Sequence, residues 1–125
     1  MPAYSATGTV YSIYPGDSVT VWSAETVTTG SKSQQVAIAP NFSSGAQMDI
    51  SVDVTFSNTP GAVTVSLQTA DTDVEGDYTI PSGAVLNSAT AKVQNLQWHV
   101  KANFARLIMT TQPANSVTVT ATISR

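Results

Sequence analysis

The stretch MDISVDVTF, residues 48–56, alternates apolar and polar side chains from its first residue to its last. Successive side chains of a β-strand point to opposite faces of the sheet, so the pattern predicts a strand with one buried and one solvated face. Residues 117–124 repeat the alternation, with Val, Ala and Ile on one side and Thr and Ser on the other. Both stretches indicate a protein built from β-sheet.

Three further features extend this pattern. Residues 63–68 also alternate, and the turn sequence SNTPG separates them from residues 48–56, which predicts a hairpin with a long loop. Residues 104–109 are almost continuously apolar, as expected of a central strand covered on both faces. In the segment before them the parity of the apolar residues changes, which predicts a β-bulge near Gln94–Asn95.

Shorter strands are predicted at residues 8–14, 18–22, 35–39 and 76–80, with turn residues between them. Eight or nine short strands separated by turn signals are typical of a β-sandwich or barrel. No helical period persists for more than a turn. We therefore predict an all-β fold, an antiparallel β-sandwich, with residues 8–125 as a single domain and residues 1–7 as an N-terminal arm.

The composition argues against several classes of protein. Charged residues make up 10% of the 125 positions, whereas Ser and Thr supply about a quarter, so hydroxyl groups rather than charges solvate the surface. The net charge is −3 and the basic residues are scattered, which argues against binding of nucleic acid. The chain has no cysteine, and no apolar run reaches the roughly 18 residues of a membrane span.

No combination of residues predicts catalysis. His99 is the only histidine, has no nucleophile motif beside it, and is expected on the solvated face of its strand. Asp49 and Asp53 share one polar strand face, where solubility and edge protection are favoured over acid–base chemistry. Arg106 interrupts an apolar strand, so we expect it at an edge or subunit contact, or in a structural pair with an acid such as Asp49 or Asp53. We predict that the protein is not an enzyme.

The sequence DTDVEGD, residues 71–77, is the only acidic cluster. Acids at alternating positions before a glycine resemble the opening of a calcium loop, although Ser82 stands where a bidentate Glu is expected. The favoured interpretation is a solvated turn with local hydrogen bonds, and no cofactor is predicted. The alternative is a calcium site completed by other loops, with Asp71, Asp73, Glu75 and Asp77 as candidate ligands.

Aromatic residues near the N-terminus are candidates for contact with a partner. Trp22 shares the parity of Thr20 rather than that of its apolar neighbours, so its side chain is expected to be exposed. With Tyr11 or Tyr14 it would form a stacking patch or pack on a neighbouring subunit, against a default of ordinary edge packing, while Trp98 is expected in the core. The predicted partner contacts are Tyr4, Tyr11, Tyr14 and Trp22.

The C-terminal part of the chain resembles a known group of proteins. NFARLIMTT, residues 103–111, is followed by a short turn and by SVTVTATI, residues 116–123. VTVSLQT, residues 63–69, precedes the acidic turn. Over residues 48–125 this pattern resembles small structural proteins of tailed bacteriophages.

The resemblance implies a jelly-roll-like β-sandwich in a virion, as a capsid-decorating or tail-associated protein. The implied partners are capsid or other virion proteins and further copies of the chain, with a trimer preferred and residues 1–16 as an arm that reaches a neighbour. The N-terminal residues lack the pattern of a secretory signal, so with Met1 as the start we expect synthesis in the host cytoplasm. The alternative is a carbohydrate-binding module or receptor-binding tip domain, with a patch of Trp22 and residues 71–77.

Overall fold

A computed structural model of the chain describes residues 10–38 and 48–125, and of Met48 it describes the backbone alone. The predicted N-terminal arm of residues 1–7, with Tyr4, lies outside these residues, whereas the longer arm predicted at residues 1–16 is described from residue 10 and contains the strand Tyr11–Ile13. No helix of the described residues has the length and hydropathy of a membrane span. The elements are β1 (Tyr11–Ile13), β2 (Ser18–Glu25), β3 (Val36–Ile38), β4 (Met48–Phe56), β5 (Thr64–Ala70), a 3-10 helix (Glu75–Asp77), β6 (Val85–Leu86), β7 (Val93–Val100), β8 (Phe104–Thr111) and β9 (Val119–Ser124).

The strands form two sheets, in the orders β1-β3-β8-β5-β6 and β2-β9-β4-β7. The antiparallel pairs β2·β9, β3·β8, β4·β7 and β5·β6 are nested inside one another. The chain runs out along β2 to β5 and returns along β6 to β9, as in one long hairpin. When this hairpin rolls up so that β4 also pairs with β9 and β5 with β8, it becomes the eight-stranded jelly roll. Strand β1 adds a parallel partner to β3. The predicted jelly-roll-like, antiparallel β-sandwich of eight or nine strands is confirmed.

The core lies between the two sheets and is built from the alternating apolar residues. In the four-stranded sheet, Val54 of β4 is paired with Ala121 of β9, and both are fully buried. In the five-stranded sheet, Leu67 of β5 is paired with Leu107 of β8, and each is 1% exposed. Removal of apolar surface from water stabilises such a core by about 25 cal/mol per Å². The strands predicted from alternation therefore form, each with one face in the core.

The predicted hairpin between residues 48–56 and 63–68 is wrong. Strand β4 belongs to the four-stranded sheet and β5 to the five-stranded sheet, so the connection crosses from one layer to the other. The connection nevertheless needs the glycine that the turn prediction relies on. Gly61 has a φ of +72°, and a Cβ there would lie only 3.0 Å from the Ala114 Cβ. Turn residues mark where a strand ends, but they do not determine which strand it pairs with.

Strand β7 has no bulge at Gln94–Asn95, contrary to the prediction. It pairs with β4 in an unbroken register along its whole length. The inward position is occupied by Gln94, which is 7% exposed and hydrogen-bonds to the backbone of Ser88 and Ala91. Val93 points outward and is 66% exposed. A buried polar residue next to an exposed apolar one gives the same pattern in the sequence as the change of parity at a bulge.

The strand predicted at residues 76–80 is instead a loop that contains the 3-10 helix and a single bridge between Thr69 and Thr79. This loop covers the outer face of the five-stranded sheet, because Glu75 contacts Arg106 on the side of β8 that faces away from the core. Strand β8 occupies the middle of that sheet and is covered on both faces where the loop lies, as predicted for residues 104–109.

Candidate functional site

Arg106 lies at the centre of a polar cluster on the outer face of the five-stranded sheet. Its side chain has no exposed surface, and its Nε donates to Gln68 Oε1 at 2.7 Å. Its Nη2 donates to both carboxylate oxygens of Glu75, each at 3.0 Å. The guanidinium carbon lies 3.9 Å from the centre of the Tyr78 ring, a cation–π contact. Arg106 is thus in a structural pair with an acid, one of the alternatives that its position in an apolar strand predicts.

The acids suggested for this pair, Asp49 and Asp53, lie elsewhere, and the choice of partner for Arg106 was therefore wrong. Both project from the outer face of β4 in the four-stranded sheet. The Asp49 carboxylate contacts Nδ1 of His99, its neighbour across the β4·β7 pair, and both side chains are largely exposed. Asp53 accepts a hydrogen bond from Asn95 Nδ2 at 2.7 Å. His99 is the solvent-facing strand residue that its parity predicts.

Asp73, in the loop of residues 71–77, is also engaged by the fold. Its carboxylate accepts a hydrogen bond from the Tyr78 hydroxyl at 2.8 Å and lies 3.3 Å from Gln35 Nε2. Burial raises the pKa of Tyr78 well above its ordinary value, and the hydrogen bond and charge of Asp73 act in the same direction. Tyr78 therefore stays protonated and donates to Asp73 while its ring lies against Arg106.

The four predicted calcium ligands are not drawn together. Glu75 and Asp73 point to Arg106 and Tyr78, as described, while Asp71 and Asp77 are exposed. Among residues 10–38 and 48–125, no group of three acids or histidines is placed to hold a metal ion. Calcium binding at this loop remains the alternative to a turn without a cofactor, and neither is tested by these contacts.

The prediction that Trp22 is exposed is wrong, because the side chain is only 4% exposed. The pairing of β2 with β9 shifts register between Thr20 and Trp22. At such a bulge two residues oppose one on the neighbouring strand, so the alternation of faces is interrupted. As a result Val21 and Trp22 are both buried, although they are consecutive. The indole is part of the core and does not offer a stacking surface.

Tyr11 and Tyr14 are exposed at and just after β1, the edge strand of the five-stranded sheet, with 49% and 54% of their surface accessible. Tyr11 lines a shallow cleft of about 270 Å³ together with Trp22, Glu25 and Lys32. The structure thus brings Tyr11 and Trp22 to one place, as predicted, but the tyrosine alone supplies an accessible ring. The two tyrosines stay predicted partner contacts.

A cleft of about 400 Å³ around Trp98 is a site that the sequence did not indicate. Trp98 is half-buried and packs against the core, so its predicted place inside the core is only partly correct. Exposed Asp71, Asp77 and Lys101 line the same cleft, between the loop after β5 and the loop after β7. An aromatic surface beside a few polar groups is typical of a small-molecule site.

A cleft of similar volume lies at the opposite end of the sandwich, between the loops that follow β2, β4 and β8. Its lining contains no charged and no aromatic side chain. Its polar side chains are hydroxyls and amides, so it offers neither a ring for stacking nor a charge for an ion pair. The cleft around Trp98 has the better chemistry for recognition.

Comparison with known proteins finds no relative of this chain. No protein-family model, curated protein or solved structure matches the chain. A fold by itself does not determine function, so the order of the strands is considered together with the surfaces and clusters described above.

Proposed function

We propose that the chain is a non-enzymatic structural protein of a tailed-bacteriophage virion, which decorates the capsid through protein–protein contacts. The observation that carries this proposal is the jelly-roll order of the strands, an architecture that viral capsid domains share. The resemblance of residues 48–125 to small phage structural proteins supports the same function. A tail-associated position, which needs the same kind of contact, is the alternative location.

The outer face of the four-stranded sheet supports the proposal because uncharged amide and hydroxyl groups predominate on it, and the carboxylate of Asp53 on β4 is itself hydrogen-bonded. Asn95 Nδ2 donates to Asp53 at 2.7 Å and to the Ser51 hydroxyl at 2.8 Å. Gln97 Nε2 donates to the Asn95 side-chain oxygen at 3.1 Å. Burying a hydroxyl or amide that keeps its hydrogen bonds costs far less than burying a charge. Charged residues are accordingly depleted from the centres of protein–protein interfaces.

The ion pair of Arg106 with Glu75, with the Tyr78 ring beside it, forms a clamp that supports the proposal in a second way. It holds the loop of residues 71–77 against β8 through a buried cation, two hydrogen bonds to one carboxylate and an aromatic ring. A surface loop held in one conformation loses little entropy when a partner binds to it. A rigid outer face suits a protein that makes the same contact many times on a lattice.

The virion proposal is tested on phage particles purified from the source of the chain. Antibodies raised against the recombinant protein are expected to label the heads in immunogold electron microscopy, and the protein is expected among the virion proteins in mass spectrometry. Label confined to the tail would favour the tail-associated alternative. If the protein is present in the lysate but absent from purified particles, a virion function is excluded.

One observation favours a second candidate function, carbohydrate binding at the cleft around Trp98. The half-buried indole offers part of its ring for stacking, and Asp71, Asp77 and Lys101 offer acceptors and donors for sugar hydroxyls. This cleft, rather than a patch of Trp22, is where a glycan would fit.

A glycan array with the wild-type protein tests this candidate. If a glycan binds at the cleft, Trp98→Ala is expected to weaken binding about fivefold to tenfold, since an aromatic contact contributes about 1 kcal/mol. Tyr14→Ala, which removes an exposed ring elsewhere, serves as the matched control and is expected to leave binding unchanged. An array without hits, or equal binding by wild type and Trp98→Ala, argues against a sugar site here.

A further inference from the structure

Strand β7 presents a long and regular open edge in the described part of the fold. It spans eight residues and pairs with β4 alone, without a register shift. The other sheet edges are short or irregular, because β1 has three residues, β6 has two, and β2 changes register on both sides of Trp22. Natural sheets usually block long edges with bulges, prolines or charges, since open edges pair with other strands. Residues 93–100 contain neither a proline nor a Lys, Arg, Asp or Glu.

The backbone groups at this edge can be assigned from one hydrogen bond. The amide of Phe56 donates to the carbonyl of Lys92 at 2.7 Å, one step beyond the paired Thr55 and Val93. Hydrogen-bonded and non-hydrogen-bonded pairs alternate along an antiparallel ladder. The even-numbered residues of β7 therefore direct their N–H and C=O groups to β4. The backbone groups that point to the open edge belong to Val93, Asn95, Gln97 and His99.

The side chains along the edge leave room for another strand. The four odd-numbered residues are exposed on the outer face, and Val93 is 66% exposed. On the inner face, Leu96 and Trp98 are only half-buried. Clefts of about 320 Å³ and 160 Å³ lie beside residues 93–95 and 97–99. Both the backbone and the apolar inner face of β7 are thus incompletely covered.

We propose that β7 pairs with β7 of a second copy of the chain, antiparallel, about a two-fold axis at Leu96. Residues that face outward must oppose residues that face outward, because a shift by one residue would turn polar side chains into the core. The axis therefore passes through a residue and not between two. Centred on Leu96, the pairing sets Val93 against the second copy's His99 and Asn95 against its Gln97. All the open backbone positions are then used, and two four-stranded sheets become one.

The chemistry of the edge favours a second copy as the occupant. Gln97 Nε2 already donates to the Asn95 side-chain oxygen at 3.1 Å, and across the axis the same two amides of different copies lie opposite each other. Lys92 lies opposite the second copy's Val100, so no like charges meet. A charged peptide would find no opposite charge within β7. The irregular edge of β2 does not match β7, which disfavours head-to-tail rings.

This inference rests on the proposed contact function, for which it names the surface and the first partner. The contact is isologous and produces a dimer, whereas the resemblance to phage proteins implies a trimer. It is tested on the purified protein without any virion, so its failure is distinct from a failure of the proposed location.

The experiment measures molar mass by analytical ultracentrifugation over a range of protein concentrations. The wild-type protein is expected to reach twice its chain mass of 13.0 kDa. Asn95→Lys with Gln97→Lys sets like charges opposite each other and is expected to weaken dimerisation at least tenfold. Asn95→Lys with Gln97→Glu sets opposite charges across the axis, places no second acid opposite Asp53, and is expected to keep the dimer. Thr20→Lys with Ser23→Lys, on the exposed surface of β2, adds the same charge and serves as the matched control.

Each result bears on the proposal, provided that circular dichroism shows the variants folded. A monomeric wild-type protein would overturn it, as would an oligomer of any size that survives Asn95→Lys with Gln97→Lys. Dissociation of both the like-charge and the opposite-charge variants would overturn the register centred on Leu96. A dimer that only the like-charge variant loses supports the contact, even if antibodies fail to label virions.

Discussion

Replacement of Glu75 by alanine is expected to lower the free energy of unfolding by about 3 kcal/mol, although the Glu75 side chain is 41% exposed. The guanidinium of Arg106 would keep its contacts with Gln68 and Tyr78 but lose the carboxylate that accepts two hydrogen bonds from its Nη2. Removing one partner of a buried ion pair typically costs about 3–5 kcal/mol. The exposed side of Glu75 gives water a route to the site, which places the expected loss at the lower end. Urea unfolding at neutral pH measures it.

Two further variants separate the clamp from a simple loss of surface charge. Lys32 Nζ lies 3.7 Å from the same Glu75 carboxylate but is itself partly exposed, so Lys32→Ala is expected to cost less than about 1 kcal/mol. Adding Arg106→Met to Glu75→Ala removes the buried charge and is expected to recover part of the stability. Equal losses for Glu75→Ala and Lys32→Ala, or no recovery in the double variant, would contradict the clamp.

The need of Arg106 for an acid could be predicted from the sequence, but the identity of the acid could not. A cation in an apolar strand must be paired wherever it is buried, and that requirement is local. The choice of Glu75 depends on how the loop after β5 folds back across β8. The same carboxylate had a second plausible use in a calcium site, because alternating acids are compatible with either role.

The strands show the same division between local and distant information. The alternation of residues 48–56 identifies a strand because the two-residue period is a property of the backbone. Pairing with β9 and β7, instead of β5, depends on the order of the sheet. Strand β6, with two residues, is too short to carry any period. Sequence periodicity therefore predicts the class of fold and most of its strands, but not their neighbours.

The candidate surfaces were predicted well only where parity and sheet position agree. Tyr11 is exposed as expected, at an edge strand. Trp98 has the inward parity of a core residue, yet it is half-buried because β7 is itself an edge. Trp22 has outward parity, but the register shift beside it turns its side chain inward. The prediction was wrong for Trp22 and only partly correct for Trp98, because neither a bulge nor an edge is visible in the spacing of apolar residues.

Trp22→Ala is expected to cost about 3–5 kcal/mol, a large part of the 5–15 kcal/mol that stabilises a typical domain. The indole is 4% exposed and belongs to the same buried cluster as Val21 and Val27. Truncation removes its apolar surface from the core and leaves a cavity that the neighbouring strands cannot fill without moving. The free energy of unfolding is measured by urea unfolding with circular dichroism as the probe. The same curves show how much secondary structure the variant keeps and how cooperatively it unfolds.

Tyr14→Ala provides the comparison, because this ring is 54% exposed and its loss is expected to change the unfolding free energy by less than about 0.5 kcal/mol. If Trp22→Ala instead costs less than about 1 kcal/mol, the indole lies at the surface, as uninterrupted alternation along β2 would require. The size of the loss also determines how binding data must be interpreted. A partner or glycan that no longer binds Trp22→Ala would report damage to the core, whereas the same result with Tyr11→Ala would report a contact.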